Sequence, residues 1–210
     1  MNSVGFTSRL KELGLPVVTV ATASSILQKS PAYTRLYIRR LRMAGALKLV
    51  EWGKYCLPGT DDYTIASRII PNSYITGYAA LEHYRLTTQL AFKLQVVSMK
   101  YHRPLRLSEH TAEFVKVKRE FIYGFVGTWN GPAFAEPEKI FIDDLYLHGR
   151  QYYSEEFEYA LNANKIDVEK LNLYAEMSGN KTLMARIRAL VDYAAAPKER
   201  AKVVSRRMDT

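Results

Sequence analysis

Residues 30–59, SPAYTRLYIRRLRMAGALKLVEWGKYCLPG, restrict the chain more than any other stretch. They change period once, from helical to extended. Ser30 offers a hydroxyl to cap a helix. Pro31 sits at the first helical position, where its missing N–H would have had no partner anyway. Gly45 can end the helix with φ > 0. ALKLVEW then reads as a strand and KYCLPG as the returning strand, a hairpin turning near Trp52, Gly53 and Lys54. Upstream, Val4, Phe6, Leu10 and Leu13 fall near helical spacing over 3–13, and Gly14 and Pro16 stop that helix. A second short helix over 20–28 follows a threonine cap and is anchored by Ile26 and Leu27. Three helices followed by a β-hairpin is the order of a winged helix-turn-helix.

The third helix carries four arginines, Arg35, Arg39, Arg40 and Arg42. At about 100° per residue, Thr34, Ile38, Leu41 and Gly45 share one face, with Tyr37 beside them. Tyr33, Leu36 and Arg40 fall opposite, flanked by Arg35 and Arg39. The core face therefore holds no arginine. A charged stripe on a helix is most often a solvated face. Here it is nearly free of acids, it lies on the third helix, and a basic hairpin follows. Arginine is suited to bidentate contact with guanine or phosphate in the major groove. We expect Tyr33, Arg35, Arg39 and Arg40 to enter a DNA groove, and Lys48 and Lys54 on the wing to meet phosphates.

Charge supports this reading. The chain of 210 residues has a formal net charge of +9, which speaks to partners rather than fold. Between Lys29 and Lys54 stand seven bases and one acid, Glu51; between Lys93 and Arg119, seven bases and two acids. From 135 to 170 the sign reverses, so separate surfaces are expected to have separate roles. Cys56 is the sole cysteine, which excludes an intrachain disulfide and a cysteine-rich zinc site. No stretch reaches the ~18 consecutive apolar residues of a membrane span, and the N-terminus lacks a signal-peptide core. A cytoplasmic protein without membrane partners is expected.

The turn-prone PGTDD over 58–62 divides an N-terminal domain, 1–60, from a second, 61–210. In the second, 62–69 and 73–85 read as helices, and 92–99, 113–120 and 121–126 as strands. Helices follow over 136–148, 154–163, 167–178 and 181–195, the part from about 152 being wholly helical. Pro197 closes the last, and a basic tail occupies 197–210. The expected class is α+β: a winged helix-turn-helix, then a C-terminal domain of antiparallel strands with helices.

Lys100, Arg103, Arg106, Lys116, Lys118 and Arg119 form a second basic region, interleaved with Tyr101, His102 and Phe121. Lys116 and Lys118 alternate with Val115 and Val117 and so line one strand face. A solvated face is the plain reading; an RNA- or phosphate-binding surface, Lys100, Arg103, Lys116 and Lys118 above all, is the sharper one. Glu136, Glu138, Lys139 and Asp143 have the residue types of a metal-dependent nuclease but not the spacing. Lys139 and Asp143 stand i, i+4, as in a helical ion pair, and Asp143 and Asp144 cannot point the same way. His83, His102, His110 and His148 lack metal-ligand spacing, with His83 expected to be packed or capping. Gly124, Gly127 and Gly131 make no phosphate loop. No enzyme activity, cofactor or metal is expected.

Across residues 6–148 the sequence resembles the AbiEi-type antitoxins of abortive-infection, type IV toxin–antitoxin systems. The likeness is carried by Gly53, Tyr55 and Pro58 at the hairpin end; by Asp62, Ala66, Pro71, Tyr74, Ile75, Ala80, Leu81, His83 and Leu86; and by Pro137, Glu138, Lys139 and Asp143. Two departures stand out: Arg85 where the family tends to have Gly, and Glu51-Trp52 in a wing that is often more basic. The resemblance implies a repressor that binds its own operator DNA. Its second domain would counteract a nucleotidyltransferase toxin without needing a stable complex. A homodimer on a palindrome is the default for such repressors. The competing expectation is a winged-helix transcriptional regulator whose second domain senses a ligand or dimerises.

Overall fold

The computed structural model describes residues 2–195. The expected basic tail at 197–210 and the stop at Pro197 lie outside the described residues. The chain groups into two compact units, Met1–Glu136 and Pro137–Thr210.

The first unit begins with α1 (Ser3–Glu12), β1 (Val17–Thr19), α2 (Val20–Leu27), α3 (Pro31–Met43), β2 (Lys48–Glu51) and β3 (Lys54–Cys56). Each helix start is satisfied by a side-chain cap: Asn2 accepts from the Gly5 N–H, Thr19 from Thr22 and Ser30 from Tyr33. The strand β1 was not expected. It spans three residues and runs directly into α2, so no alternation announces it. It completes a three-stranded antiparallel sheet in the order β1-β3-β2. Phe6, Leu10, Val18, Ala23, Ile38, Leu41, Leu47 and Leu57 form the core between helices and sheet. The wheel of α3 holds: Thr34, Ile38 and Leu41 are buried, whereas Tyr33, Arg35, Leu36, Arg39 and Arg40 are exposed.

The rest of this unit is a six-stranded sheet with order β6-β7-β5-β4-β9-β8. It is built from α4 (Asp62–Arg68), β4 (Tyr74–Thr76), α5 (Tyr78–His83), β5 (Lys93–Ser98), β6 (Leu105–Arg106), β7 (Thr111–Lys116), β8 (Phe125–Gly127) and β9 (Ala133–Ala135). The expectation of antiparallel strands is corrected, because β5 pairs with β7 and β4 with β9 in parallel. The α+β class itself holds. A second correction concerns 73–85, expected as one helix. Its first part is the central strand β4, buried on both faces, so its apolar run lacks the alternation of a half-exposed strand. Gly77, at φ +69°, then turns the chain into α5. A third correction is 121–126, where the strand is limited to Phe125–Gly127 and follows a single 3-10 turn at Arg119–Phe121. Arg85 takes the left-handed conformation, with φ +55° after α5.

Asp62 fixes one corner of this sheet. Its carboxylate accepts from the backbone N–H groups of Ser108 (3.2 Å), Glu109 (2.8 Å) and His110 (3.0 Å), and from His110 Nδ1 (3.1 Å). These donors belong to the turn between β6 and β7. Burial alone would raise the Asp62 carboxyl, but the donated hydrogen bonds hold it below its ordinary value. We expect Asp62→Asn to cost about 2–3 kcal/mol in urea unfolding, since it removes the charge and turns an amide toward donors that converge on this partly buried position. A depressed carboxyl contributes stability above its unfolded pKa and loses it as pH falls through the folded value. The wild type should therefore weaken below about pH 4, and the variant should lack that part of the pH dependence.

The second unit contains α6 (Pro137–His148), α7 (Ser154–Asn162), α8 (Val168–Met177) and α9 (Lys181–Ala195), as the periodicity indicated. Ile140, Phe141, Leu145, Phe157, Ala160, Leu171, Ala175, Leu183 and Ile187 are buried. So are four charged residues of α6: Glu138, Lys139, Asp143 and Asp144. Lys139 and Asp143 form the expected ion pair, at 0% and 2% side-chain exposure. Asp144 points elsewhere, accepting from His148 Nδ1 (2.8 Å) and from the N–H groups of Tyr152 and Tyr153. Glu138 accepts from the Asp167 N–H and meets Lys170 Nζ at 3.2 Å. These acids thus satisfy helix ends and cations within their own unit.

Candidate functional site

The outward face of α3 is built by its capping and by the apolar stripe opposite. With Thr34, Ile38 and Leu41 fixed in the core, the helix phase sends Arg35, Arg39, Arg40 and Arg42 into solvent. The helix contains no acidic residue, and none of these arginines has a carboxylate partner among the described residues. Arg42 lies 5.9 Å over the Tyr55 ring. Tyr33 is 48% exposed and stacks on Tyr37 at 6.3 Å; the Tyr37 hydroxyl donates to the Asn2 carbonyl. Tyr33 is thereby held at the start of the helix beside the arginines. Leu36 (59% exposed) and Met43 (81%) complete the face.

The hairpin divides its two lysines. Lys48 is exposed. Lys54 instead pairs with Glu51 at 2.9 Å, and the same carboxylate oxygen receives His102 Nε2 at 3.0 Å. Burial alone would raise the Glu51 carboxyl, yet hydrogen bonds from His102 and Lys54, with their charges, hold it low. Glu51 thus ties the β2–β3 hairpin to the loop after β5 and occupies the Lys54 ammonium. Gly53, at φ +78°, makes the turn, and Trp52 stands at its tip, 95% exposed. The sequence placed Trp52 at the hairpin turn, and the structure shows that its ring is almost fully exposed there.

Lys100, Arg103, Arg106, Lys116, Lys118 and Arg119 are all exposed. Lys116 ends β7 opposite Ser98, and Lys118 follows the buried Val117. Arg103 lies beside His102, whose Nδ1 is 2.6 Å from the Arg103 carbonyl.

A concave site appears where sequence reasoning saw none. Asp61, Tyr63, Ala79, Glu82, His83, Pro132 and Phe134 line a cleft of about 330 Å³. Phe134 is its floor: His83 stacks on it at 4.1 Å, nearly parallel, and Tyr63 lies 5.9 Å away. Desolvation holds the His83 imidazole below its ordinary pKa. Asp62 Oδ2, His110 Nδ1 (3.1 Å), His110 Nε2 and the Tyr63 hydroxyl (3.4 Å) form a relay. Since Asp62 can only accept, Nδ1 donates, and in the neutral ring Nε2 accepts from Tyr63. Burial first, and then the charges of Glu82, Asp61, Asp62 and Glu109, raise the Tyr63 phenol, so it stays protonated. Histidine spacing gave no hint of this, because His110 reaches Asp62 across 48 positions of chain.

Among the described residues no helix is long and apolar enough to cross a membrane, and no group of three or more His, Cys, Asp or Glu could hold a metal ion. No protein-family model matches the chain, and no curated protein matches it at a significant level. Among solved structures it is similar to the crystal structure of the RV2827C protein from Mycobacterium tuberculosis. That similarity has a TM-score of 0.48 at 17% identity, over 91% of this chain and 76% of that one.

Proposed function

We propose that the N-terminal helices and hairpin form a winged helix-turn-helix that binds double-stranded DNA, with α3 in the major groove. One observation carries this reading: an acid-free helix face on which four arginines lack carboxylate partners among the described residues. Arg35, Arg39 and Arg40, with Tyr33, are the groove-facing set. Lys48 is the wing's phosphate contact. Lys54, engaged by Glu51, is a weaker one. In this reading Trp52, 95% exposed at the hairpin tip, packs against the duplex beside the wing.

The fuller proposal is an autorepressing antitoxin that counteracts a nucleotidyltransferase toxin. Its support is the resemblance described above. Many residues that carry it are core: Ala66, Tyr74, Ile75, Ala80, Leu81 and Lys139 are each fully buried. They speak for a shared scaffold, and the antitoxin activity has to be tested separately. The test is co-expression in a bacterial host with the neighbouring reading frame. If that frame arrests growth, the full chain should restore it, as should a variant with Arg39→Glu and Arg40→Glu. A variant with Lys116→Glu and Lys118→Glu should neutralise at least several-fold less well. Failure of the wild-type chain to rescue would remove the antitoxin role and leave DNA binding. A ligand-sensing regulator is the second reading, favoured by the cleft over Phe134.

A further inference from the structure

We propose that the cleft over Phe134 binds a small organic cation, an alkylammonium or alkylguanidinium, with its charged head against Glu82 and the aromatic rings. This deepens the ligand-sensing reading and does not depend on DNA binding. The cleft, at about 330 Å³, lies at the small end of the range for ligand sites. Its lining includes two carboxylates, three aromatic rings counting His83, and no lysine or arginine. In a chain of net charge +9, that composition is a local reversal of sign.

Apart from Ala79 and Pro132, every lining residue offers an acceptor or an aromatic ring. Asp61 is engaged as the cap of α4, its oxygens accepting from the Thr64 N–H and hydroxyl. Its charge remains. Glu82 accepts from the Ala91 N–H through Oε2 at 3.3 Å, and Oε1 has no partner among the described residues. When His110 is neutral the Tyr63 proton is directed to it, and the Tyr63 oxygen presents lone pairs to the cleft. The neutral His83 ring, stacked on Phe134, widens the aromatic surface without adding positive charge. An anion would meet carboxylates and no donor cation. A cation gains a carboxylate, a phenol acceptor, the Tyr63 ring and the aromatic surface of the His83–Phe134 stack, the combination used to recognise ammonium groups.

The test is calorimetric titration of the full chain with n-butylguanidinium, agmatine and choline, alongside N-butylurea and butyrate as neutral and anionic controls. A short lysine- or arginine-containing peptide forms another arm. At least one cation should saturate with a submillimolar Kd, and N-butylurea should bind at least ten-fold more weakly. Glu82→Gln keeps the acceptor for Ala91 and should weaken the cation at least ten-fold with an unchanged Tm. Tyr63→Phe keeps the ring and should weaken it several-fold. A peptide that binds more tightly than any free cation would identify the source as a basic side chain of a partner, with the same site chemistry. The proposal is overturned if cation and urea bind alike, if no cation saturates below 1 mM (roughly −4.1 kcal/mol of binding), or if a folded Glu82→Gln chain binds as the wild type does. A cation that binds without altering DNA affinity would remove the sensing role and leave the site.

Discussion

Replacing Lys139 by alanine should destabilise the helical unit by about 3–5 kcal/mol, the largest effect expected from one substitution in this chain. The reason is desolvation. Lys139 and Asp143 are buried on α6, and each charge is tolerated because the other neutralises it. Burial pulls the Lys139 ammonium below its ordinary pKa, while Asp143 acts in the opposite direction. Removing the ammonium deprives a buried carboxylate of its ion-pair partner, and breaking a buried pair on one side costs several kcal/mol. Asp143→Ala should cost a similar amount by stranding the cation. The double change, Lys139→Met with Asp143→Leu, should recover most of the loss, because apolar packing often replaces a buried pair without penalty. Urea unfolding of the two singles and the double, read as a cycle, checks this. Additive losses would mean that the pair does not act as a unit.

Charge reversal at Arg39 and Arg40 should abolish DNA binding while leaving the fold intact. Both side chains are exposed on α3 and outside the core formed by Ile38 and Leu41, so thermal stability should change by less than about 0.5 kcal/mol. Each bidentate arginine contact is worth about 1–3 kcal/mol, so losing both corresponds to roughly 30-fold to 10⁴-fold in affinity. The inserted glutamates would add repulsion from phosphates. Fluorescence anisotropy with a labelled duplex measures the loss, and a melting curve shows whether the fold survived. Arg39→Lys with Arg40→Lys separates charge from geometry. Lysine should retain nonspecific binding and lose sequence preference, because it lacks the planar fork.

Apart from β1, the N-terminal elements were legible because their signals are local. A capping serine, a proline at the first turn, a glycine at φ +69° and a stripe at 3.6-residue spacing act within a few residues of one another. The same holds for α6 to α9, whose boundaries follow periodicity and turn residues. The mixed sheet was less legible for a physical reason. β4, β6 and β9 span three, two and three residues, too short for alternation to declare itself. Their strand state depends on partners from elsewhere in the chain, as where Ile75 pairs with Phe134. The i, i+4 spacing of Lys139 and Asp143 revealed a pair, but its burial depends on helices packed against α6 from later in the sequence. The arginine face could be read from one helix. The cleft could not, since Tyr63, Glu82, His83 and Phe134 meet only once the sheet is formed. Glu51 shows a related limit: its sequence position suggested a less basic wing, whereas its contacts with Lys54 and His102 revealed which lysine is engaged.

The most direct measurement is the binding of the purified full chain to duplex DNA from upstream of its own reading frame, compared with a scrambled duplex, across a salt series. If α3 enters the groove with its arginines and Lys48 at phosphates and bases, the upstream duplex should bind at least ten-fold more tightly than the scrambled one. The logarithm of its affinity should fall with log salt at a slope of about −3 to −5, and reversal at Arg39 and Arg40 should reduce that slope by about two. No binding at low salt, or wild-type binding by the Arg39→Glu, Arg40→Glu variant, would contradict the account.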